Sequence, residues 1–380
     1  MIITGLKLRN FRNYQREELN FARGESIIFG KNASGKTNLL EAIYYLSHLK
    51  SFRADVDSDL VYHGKDGFDL LGDFIFDNGA HLEVSLSFRQ GEKYLRANNV
   101  PVLRNADWFG RIPVYLFSPQ SMELLWGQPQ KRRELWDYEI ARFDHEYQNA
   151  IITYRTALKA RNKILKQMKS NQANTELINL LNFYTDSLVI SGSKIIHARL
   201  THLKEVLEKL PRLYHLLTKE RMTLRARYIT QIHGVRTDSD FTEIKGHMLR
   251  ELDRLKNLER ERGFTLIGPH RDDIRFYLNE VPLGQIASQG QVRSATIALI
   301  LSLASIARKK TSEAPILLLD DALSELDDER KKNLIRLVST YPQCIFTSAS
   351  TQEVKSILAF NPTLFRVDKG KVTLLRLARG

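Results

Sequence analysis

Three short stretches carry residue types that could do chemistry on a phosphorylated substrate. Gly30-Lys31-Asn32-Ala33-Ser34-Gly35-Lys36-Thr37 has the spacing Gly, four residues, Gly-Lys-Thr. Small residues there let backbone N–H groups curl round phosphates, Lys36 supplies neutralising charge, and the Thr37 hydroxyl can hold Mg²⁺. Asp320-Asp321 close the apolar run Pro315-Ile316-Leu317-Leu318-Leu319. A buried strand ending in two acids can deliver one carboxylate to Mg²⁺ and the next to a water, although the same run would also serve as a plain core strand. Ser288-Gln289-Gly290-Gln291 places a small, hydroxyl-bearing turn at the start of a helical stretch, a second good place for phosphate oxygens and, alone, a weak signal.

Such residues act only if the chain positions them. Ser26-Ile27-Ile28-Phe29 is β-branched and apolar and leads into the glycine loop, while Asn38 to Leu46 has helical character. Strand, loop, helix is the context a phosphate cradle requires. Leu6, Leu8 and Phe11, with Lys7 and Arg9 between the first pair, suggest a half-buried opening strand. Alternating segments at Phe68–Phe76 and His81–Phe88 flank Asp77-Asn78-Gly79, whose Asn-Gly step suits a hairpin. A short pair near Tyr94–Val102 then runs into Arg111–Phe117. The expectation is an α/β nucleotide core with an antiparallel β extension.

From Trp136 the texture changes. Trp136, Phe143, Ala150, Ala157 and Ile164 fall on one heptad line, and Ile140, Tyr147 and Tyr154 on another that Arg161 interrupts before Met168. This predicts one long helix, then the polar break Ser170–Asn174, then a second helix from Thr175 ending before Pro211, forming a hairpin whose stripe serves packing. Leu224, Ala226 and Tyr228 alternate as a strand would, a charged helix covers Phe241–Arg262, and Gly263–Ile267 reads as returning β sequence. Val292–Arg308 predicts a buried helix, too short in its apolar part to span a bilayer.

The chain has 380 residues and a formal net charge of +13, so a polyanion is a plausible partner. Ser118–Arg262 holds 26 Lys/Arg against 18 Asp/Glu, a net of +8. Lys159, Arg161, Lys163, Lys166 and Lys169 cluster there, as do Arg221, Arg225 and Arg227; a solvated face and a phosphate-binding one are equally compatible with each cluster. No individual DNA-contacting residue is assigned. The single cysteine, Cys344, excludes an internal disulfide, and the N-terminal stretch lacks a secretory pattern, so a soluble, cytoplasmic protein without a membrane partner is expected. His270, Asp272 and Asp273 are sequence neighbours without metal-ligand spacing, and no metal role is assigned to them.

Taken in order, the glycine loop, the Ser-x-Gly-Gln turn, the apolar-Asp-Asp strand and Ser324-Glu325-Leu326-Asp327 resemble the ABC-type ATPase heads of the SMC-like family, and most closely its RecF branch. Gly268-Pro269-His270-Arg271-Asp272-Asp273 is similar to a RecF family marker. So is Pro119–Asp137 through Gly127, Pro129, Arg132, Arg133 and Asp137. Leu8–Arg12 and Val367–Val372 also match, so the resemblance covers essentially the whole chain. It implies an ATPase head in two parts, 1–117 and 263–380, interrupted by a helical arm domain at 118–262. It implies ATP and Mg²⁺ as cofactors, with phosphates on residues 30–37, Mg²⁺ on Thr37 and Asp320, Asp321 orienting water and Lys36 assisting catalysis. Ser288 to Gln291 would contact the nucleotide of a second copy, and Asp327 would communicate between sites. The family usually has an acid where Gln120 stands; a glutamine there could sense Mg²⁺. Transporter heads carry Glu in place of Asp321 and a switch His where this chain offers Thr347 and Ser348, which predicts slow hydrolysis. The resemblance further implies a DNA-stimulated ATPase that closes as a homodimer on DNA gaps or junctions and works with RecO and RecR to load RecA in repair, replication restart and the SOS response. Two other readings are a structural SMC-type tether, disfavoured by the short helical pair, and a transporter's ATPase subunit, which has no need of a basic helical insert.

Overall fold

A computed structural model describes residues 1–104, 107–170, 174–358 and 361–377. The polar break at 171–173 lies outside the described residues. The chain divides into two compact units: residues 1–122, 212–222 and 287–380 form the first, and residues 123–211 and 223–286 the second.

In the first unit, Gly24–Phe29 lies between Gln343–Ser348 and Thr363–Asp368, all parallel, and the sheet continues through Ile316–Leu319 to Val114–Phe117. Lys371–Arg376 closes its far edge as a hairpin on Thr363–Asp368. Strands buried on both faces need continuous apolar sequence, and Ile316 to Leu319 supplies it, every residue being buried. A second, antiparallel sheet runs Tyr14–Asn20, Ile2–Phe11, Gly67–Ile75, His81–Arg89, Glu92–Ala97 and Val100–Pro101, with the expected turn at Asp77–Gly79. Its alternation of apolar and polar residues buries one face. Helix Lys36–His48 packs against strands of both sheets, and its Leu39, Leu40, Ile43 and Leu46 join one core with Ile3, Phe11, Phe68, Phe74 and Ile345.

Helix Gln289–Thr311 is long and apolar enough to cross a membrane by composition. Every residue from Val292 to Ala307 except Ser305 is buried in the first unit, so its apolarity is accounted for as a core helix.

The second unit pairs helices His145–Ser170 and Thr175–Leu207 as a hairpin, with helix Phe241–Arg262 against both. The long helix expected from Trp136 is two helices, Pro129–Ala141 and His145–Ser170. The Asp144 carboxylate accepts the Tyr147 N–H at 2.9 Å and restarts the second, because an N-terminal carboxylate satisfies a donor that no preceding turn can take. Arg161 interrupts the heptad line without leaving the core: it is buried, donating to Glu259 (2.6 Å), Thr265 (2.8 Å) and Thr185 (2.9 Å). It therefore drops out of the solvent-facing basic cluster.

Gly263–Ile267 is not a strand. The Thr265 N–H is taken by Asn162 and that of Leu266 by Glu259, so side chains occupy the donors a sheet would use. The strand lies further on, at Asp273–Leu278, antiparallel to Leu224–Ile229. That pairing places 263–286 in the second unit, whereas the sequence division assigns them to the head; conversely, 212–222 belong to the first unit.

Candidate functional site

The phosphate loop leaves the sheet at Phe29 and enters helix Lys36–His48 at Gly35. Gly35 has φ of 117°, a left-handed conformation, and a Cβ there would meet Asn13 and Tyr14 within 2.8 Å. Gly30 is required by close approach: a Cβ would lie 2.2 Å from the Val367 carbonyl. The loop is braced from outside, as Asn13 Nδ2 donates to the Ser34 carbonyl (2.9 Å), Tyr14 Oη to that of Gly35 (3.0 Å) and the Gly370 N–H to Ser34 (3.1 Å). Asn13 and Tyr14 follow the opening strand, and nothing in their spacing announces this role.

Within the loop, Lys36 Nζ donates to the Gly30 and Lys31 carbonyls, both at 2.8 Å. Burial lowers its proton affinity, opposed by the charges of Asp320 and Asp321. The Ser34 hydroxyl is buried and has no hydrogen-bond partner. A buried orphan in a ring of backbone donors fits a phosphate oxygen.

Thr37 Oγ1 donates to Asp320 Oδ1 at 2.8 Å, joining the helix after the loop to the end of strand Ile316–Leu319. Thr347 Oγ1 donates to the same oxygen at 2.6 Å and accepts the Asp321 N–H at 3.0 Å. Burial pushes the Asp320 carboxyl upward, only partly offset by the two hydroxyls, with Asp321 adding to the rise. A hydroxyl and a carboxylate meeting at a strand end are hard oxygen donors of the kind Mg²⁺ takes. Asp321 has φ of 51°, which a non-glycine residue adopts only when held. Arg293, buried in helix Gln289–Thr311, holds its carbonyl (2.6 Å), and Ser324 donates to its Oδ2 (2.8 Å). Arg293 is absent from the sequence assignment because its contribution is a contact across 28 residues, and Ser324, quoted there only within the Ser324–Asp327 stretch, has its role from the contact with Asp321.

The remaining candidates separate. Thr347 is committed to Asp320, while Ser348 donates to Glu353 (2.5 Å) and the Ser350 carbonyl (3.0 Å). Gln120 is exposed on the turn after Val114–Phe117, the neighbour of the acid-bearing strand. Ser288 caps its helix in a reciprocal box with Gln291, at 3.3 and 3.0 Å. Among the described residues, no hydrogen bond joins 288–291 to 30–37. Asp327 caps helix Asp328–Val338 and pairs with Arg330 at 3.3 Å.

In the second unit, the two marker segments meet. Arg132 grips Asp273 with two bonds (2.8 and 3.0 Å), Arg133 donates to the Asp272 carbonyl and Tyr228 to its carboxylate, and Arg199 joins Asp137 to the Pro269 carbonyl. His270 Nδ1 lies 2.6 Å from Tyr154 Oη, and burial, followed by Arg271, lowers its pKa to about 4. Burial raises Asp272 to about 6. These residues are occupied with one another as a structural polar network.

A parallel sheet with a phosphate loop, an acid-ended neighbouring strand, a capped Ser-x-Gly-Gln helix and a helical insertion defines the class: an SMC-like, ABC-type ATPase head. The RecF/RecN/SMC N terminal domain family matches residues 2–371. Similar proteins include the DNA replication and repair protein RecF of Ligilactobacillus salivarius, 34% identical over 98% of this chain and 97% of its own. The RecF of Bacillus pumilus is 33% identical over 98% and 100%. A solved structure of the recombination mediator protein RecF with ATP is 29% identical, with a TM-score of 0.86 over 98% of this chain and 97% of that one. An Smc head domain from Pyrococcus furiosus, 15% identical with a TM-score of 0.58 over 99% and 96%, shares the fold. The chain belongs to the RecF family.

Proposed function

We propose that this DNA replication and repair ATPase holds half of each ATP site and that a second copy completes it. The observation that carries the reading is the Thr37–Asp320 bond, which unites the phosphate loop with the acid strand while Ser288–Gln291 stay outside that hydrogen-bonded group. N–H groups of residues 32–37, the helix dipole and the Ser34 hydroxyl bind the phosphates, and Lys36 exchanges its loop carbonyls for phosphate oxygens. Thr37 and Asp320 would hold Mg²⁺, with Gln120 a further candidate ligand, and the ion would supply charge that neutralises the phosphates. Asp321, fixed by Ser324 and Arg293, orients the water that attacks the γ-phosphorus. Its carboxylate is one methylene shorter than Glu and Thr347 is tied to Asp320, which supports slow hydrolysis.

Ser288 and Gly290 of one copy contact the γ-phosphate held by the other, and Asp327 links the sites. ATP thus drives a homodimer that closes on DNA at gaps and junctions, and DNA-stimulated hydrolysis opens it. RecO and RecR cooperate with this clamp in the cytoplasm to load RecA during recombinational repair, replication restart and the SOS response. Sedimentation of wild type, Lys36→Arg and Ser288→Arg with ATP and gapped DNA tests this reading. Wild type dimerises, Ser288→Arg binds ATP yet stays monomeric, and Lys36→Arg uses nucleotide poorly. A wild-type monomer at saturating ATP, with DNA binding insensitive to ATP, overturns it.

A further inference from the structure

Glu220 belongs to the short segment 212–222, which lies in the first unit although both of its ends continue into stretches of the second. Its carboxylate gathers three donors. Arg330 Nη2 donates to Oε1, and Gln291 Nε2 and Tyr214 Oη donate to Oε2, each at 3.1 Å. Gln291 is the residue whose other amide atom closes the capping box on Ser288. Arg330 pairs through Nε with Asp327, and its Nη1 lies 3.1 Å from where a Cβ on Gly290 would stand. One partly buried ion pair therefore touches Gln291 and Asp327 and lies beside Gly290, three of the residues proposed to act on the second nucleotide, and reaches Ser288 through Gln291. Asn333, one turn beyond Arg330, donates to the Leu217 carbonyl at 3.2 Å and fixes the same segment to the same helix.

A surface ion pair would contribute little, but this one is about four-fifths withdrawn from water on both sides, with relative exposures of 17% and 21%, and its guanidinium forks between Glu220 and Asp327. Capping alone does not explain it: Ser288 and Asp327 each cap a helix without help from Glu220. What the pair adds is a fixed relation between two helix N-termini, that of Gln289–Thr311 and that of Asp328–Val338. Donors aimed at a phosphate are effective only when held in place beforehand.

We infer that Glu220 and Arg330 are positioning residues that hold the Ser288–Gln291 turn and Asp327 in register for nucleotide bound to a second copy of the chain. The inference rests on the composite-site reading. It places the demand for the pair on dimer closure and spares the phosphate loop. Loss of either charge leaves ATP binding to the monomer intact and weakens ATP-dependent self-association.

The test compares Glu220→Gln and Arg330→Gln against wild type and Ser288→Arg. A fluorescent ATP analogue measures affinity at low protein concentration, sedimentation measures the dimer, and thermal melting measures folding. Expected results are ATP affinity within about twofold of wild type and self-association in ATP weakened about tenfold or more for each single variant. Should Glu220→Gln fail to fold, Arg330→Lys carries the comparison, since it keeps the charge and loses the fork. Single variants that dimerise like wild type while Ser288→Arg stays monomeric overturn the positioning role and leave the composite site standing. A Ser288→Arg protein that dimerises like wild type overturns the composite site itself.

Discussion

Asp320 is a residue whose position costs the nucleotide-free protein stability. Its pKa is raised by burial, so its protonated form is favoured by folding: that contribution is complete below its unfolded pKa and is lost as pH rises through the folded value. At neutral pH the ionised carboxylate is a net burden, which the proposed Mg²⁺ would relieve. Asp320→Asn, which can still accept from Thr37 and Thr347, is expected to melt about 2–4 °C higher without nucleotide, as about 1 kcal/mol produces in a unit of this size, and to lose Mg²⁺-dependent hydrolysis. Calorimetry alongside phosphate release checks both halves; a lower melting temperature defeats the argument. The spacing of residues 30–37 and 320–321 made the loop and the acid-ended strand legible in the sequence as candidates, because phosphate and Mg²⁺ binding would demand particular residue types at fixed separations. The roles of Ser324, Arg293 and Asn13 were not readable, since a serine, an arginine or an asparagine has many uses and contact in the folded chain selects one.

At the scale of elements, the helical hairpin depends on an ion pair that its heptad pattern presents as a flaw. Glu259 is fully buried and accepts from both Arg161 and the Leu266 N–H. Glu259→Ala leaves a guanidinium buried without its counter-charge and is expected to destabilise the second unit by about 3–5 kcal/mol. Urea unfolding followed by far-UV dichroism measures this, and a change below about 1 kcal/mol would show the pair to be dispensable. The same contact explains two misread elements at once: Arg161 is withdrawn from the basic face, and Gly263–Ile267 gives its backbone donors to side chains instead of to a sheet.

For the whole molecule, charge is the property that composition gives most directly. A net of +13 and exposed Lys159, Lys163, Lys166 and Lys169 on one helix favour a polyanion. Duplex binding should weaken steadily as salt rises from 50 to 200 mM, with a log–log slope of about −0.9 per phosphate neutralised. Fluorescence anisotropy reads the slope, and a flat profile is incompatible with binding through phosphates.

The amino-acid sequence by itself determined the phosphate loop, the acid-ended strand, the capped Ser288 turn and the family, because each is local: a few residues at fixed spacing, followed or preceded by the element that they need. Tertiary structure alone decided that 263–286 pair with Leu224–Ile229, that 212–222 return to the head, and that Glu220 and Arg330 bind the Ser288 turn to Asp327. Pairing partners far apart in sequence share no period or spacing. The physical reason they meet is that buried donors and charges must find partners, and only the folded chain shows which ones are within reach.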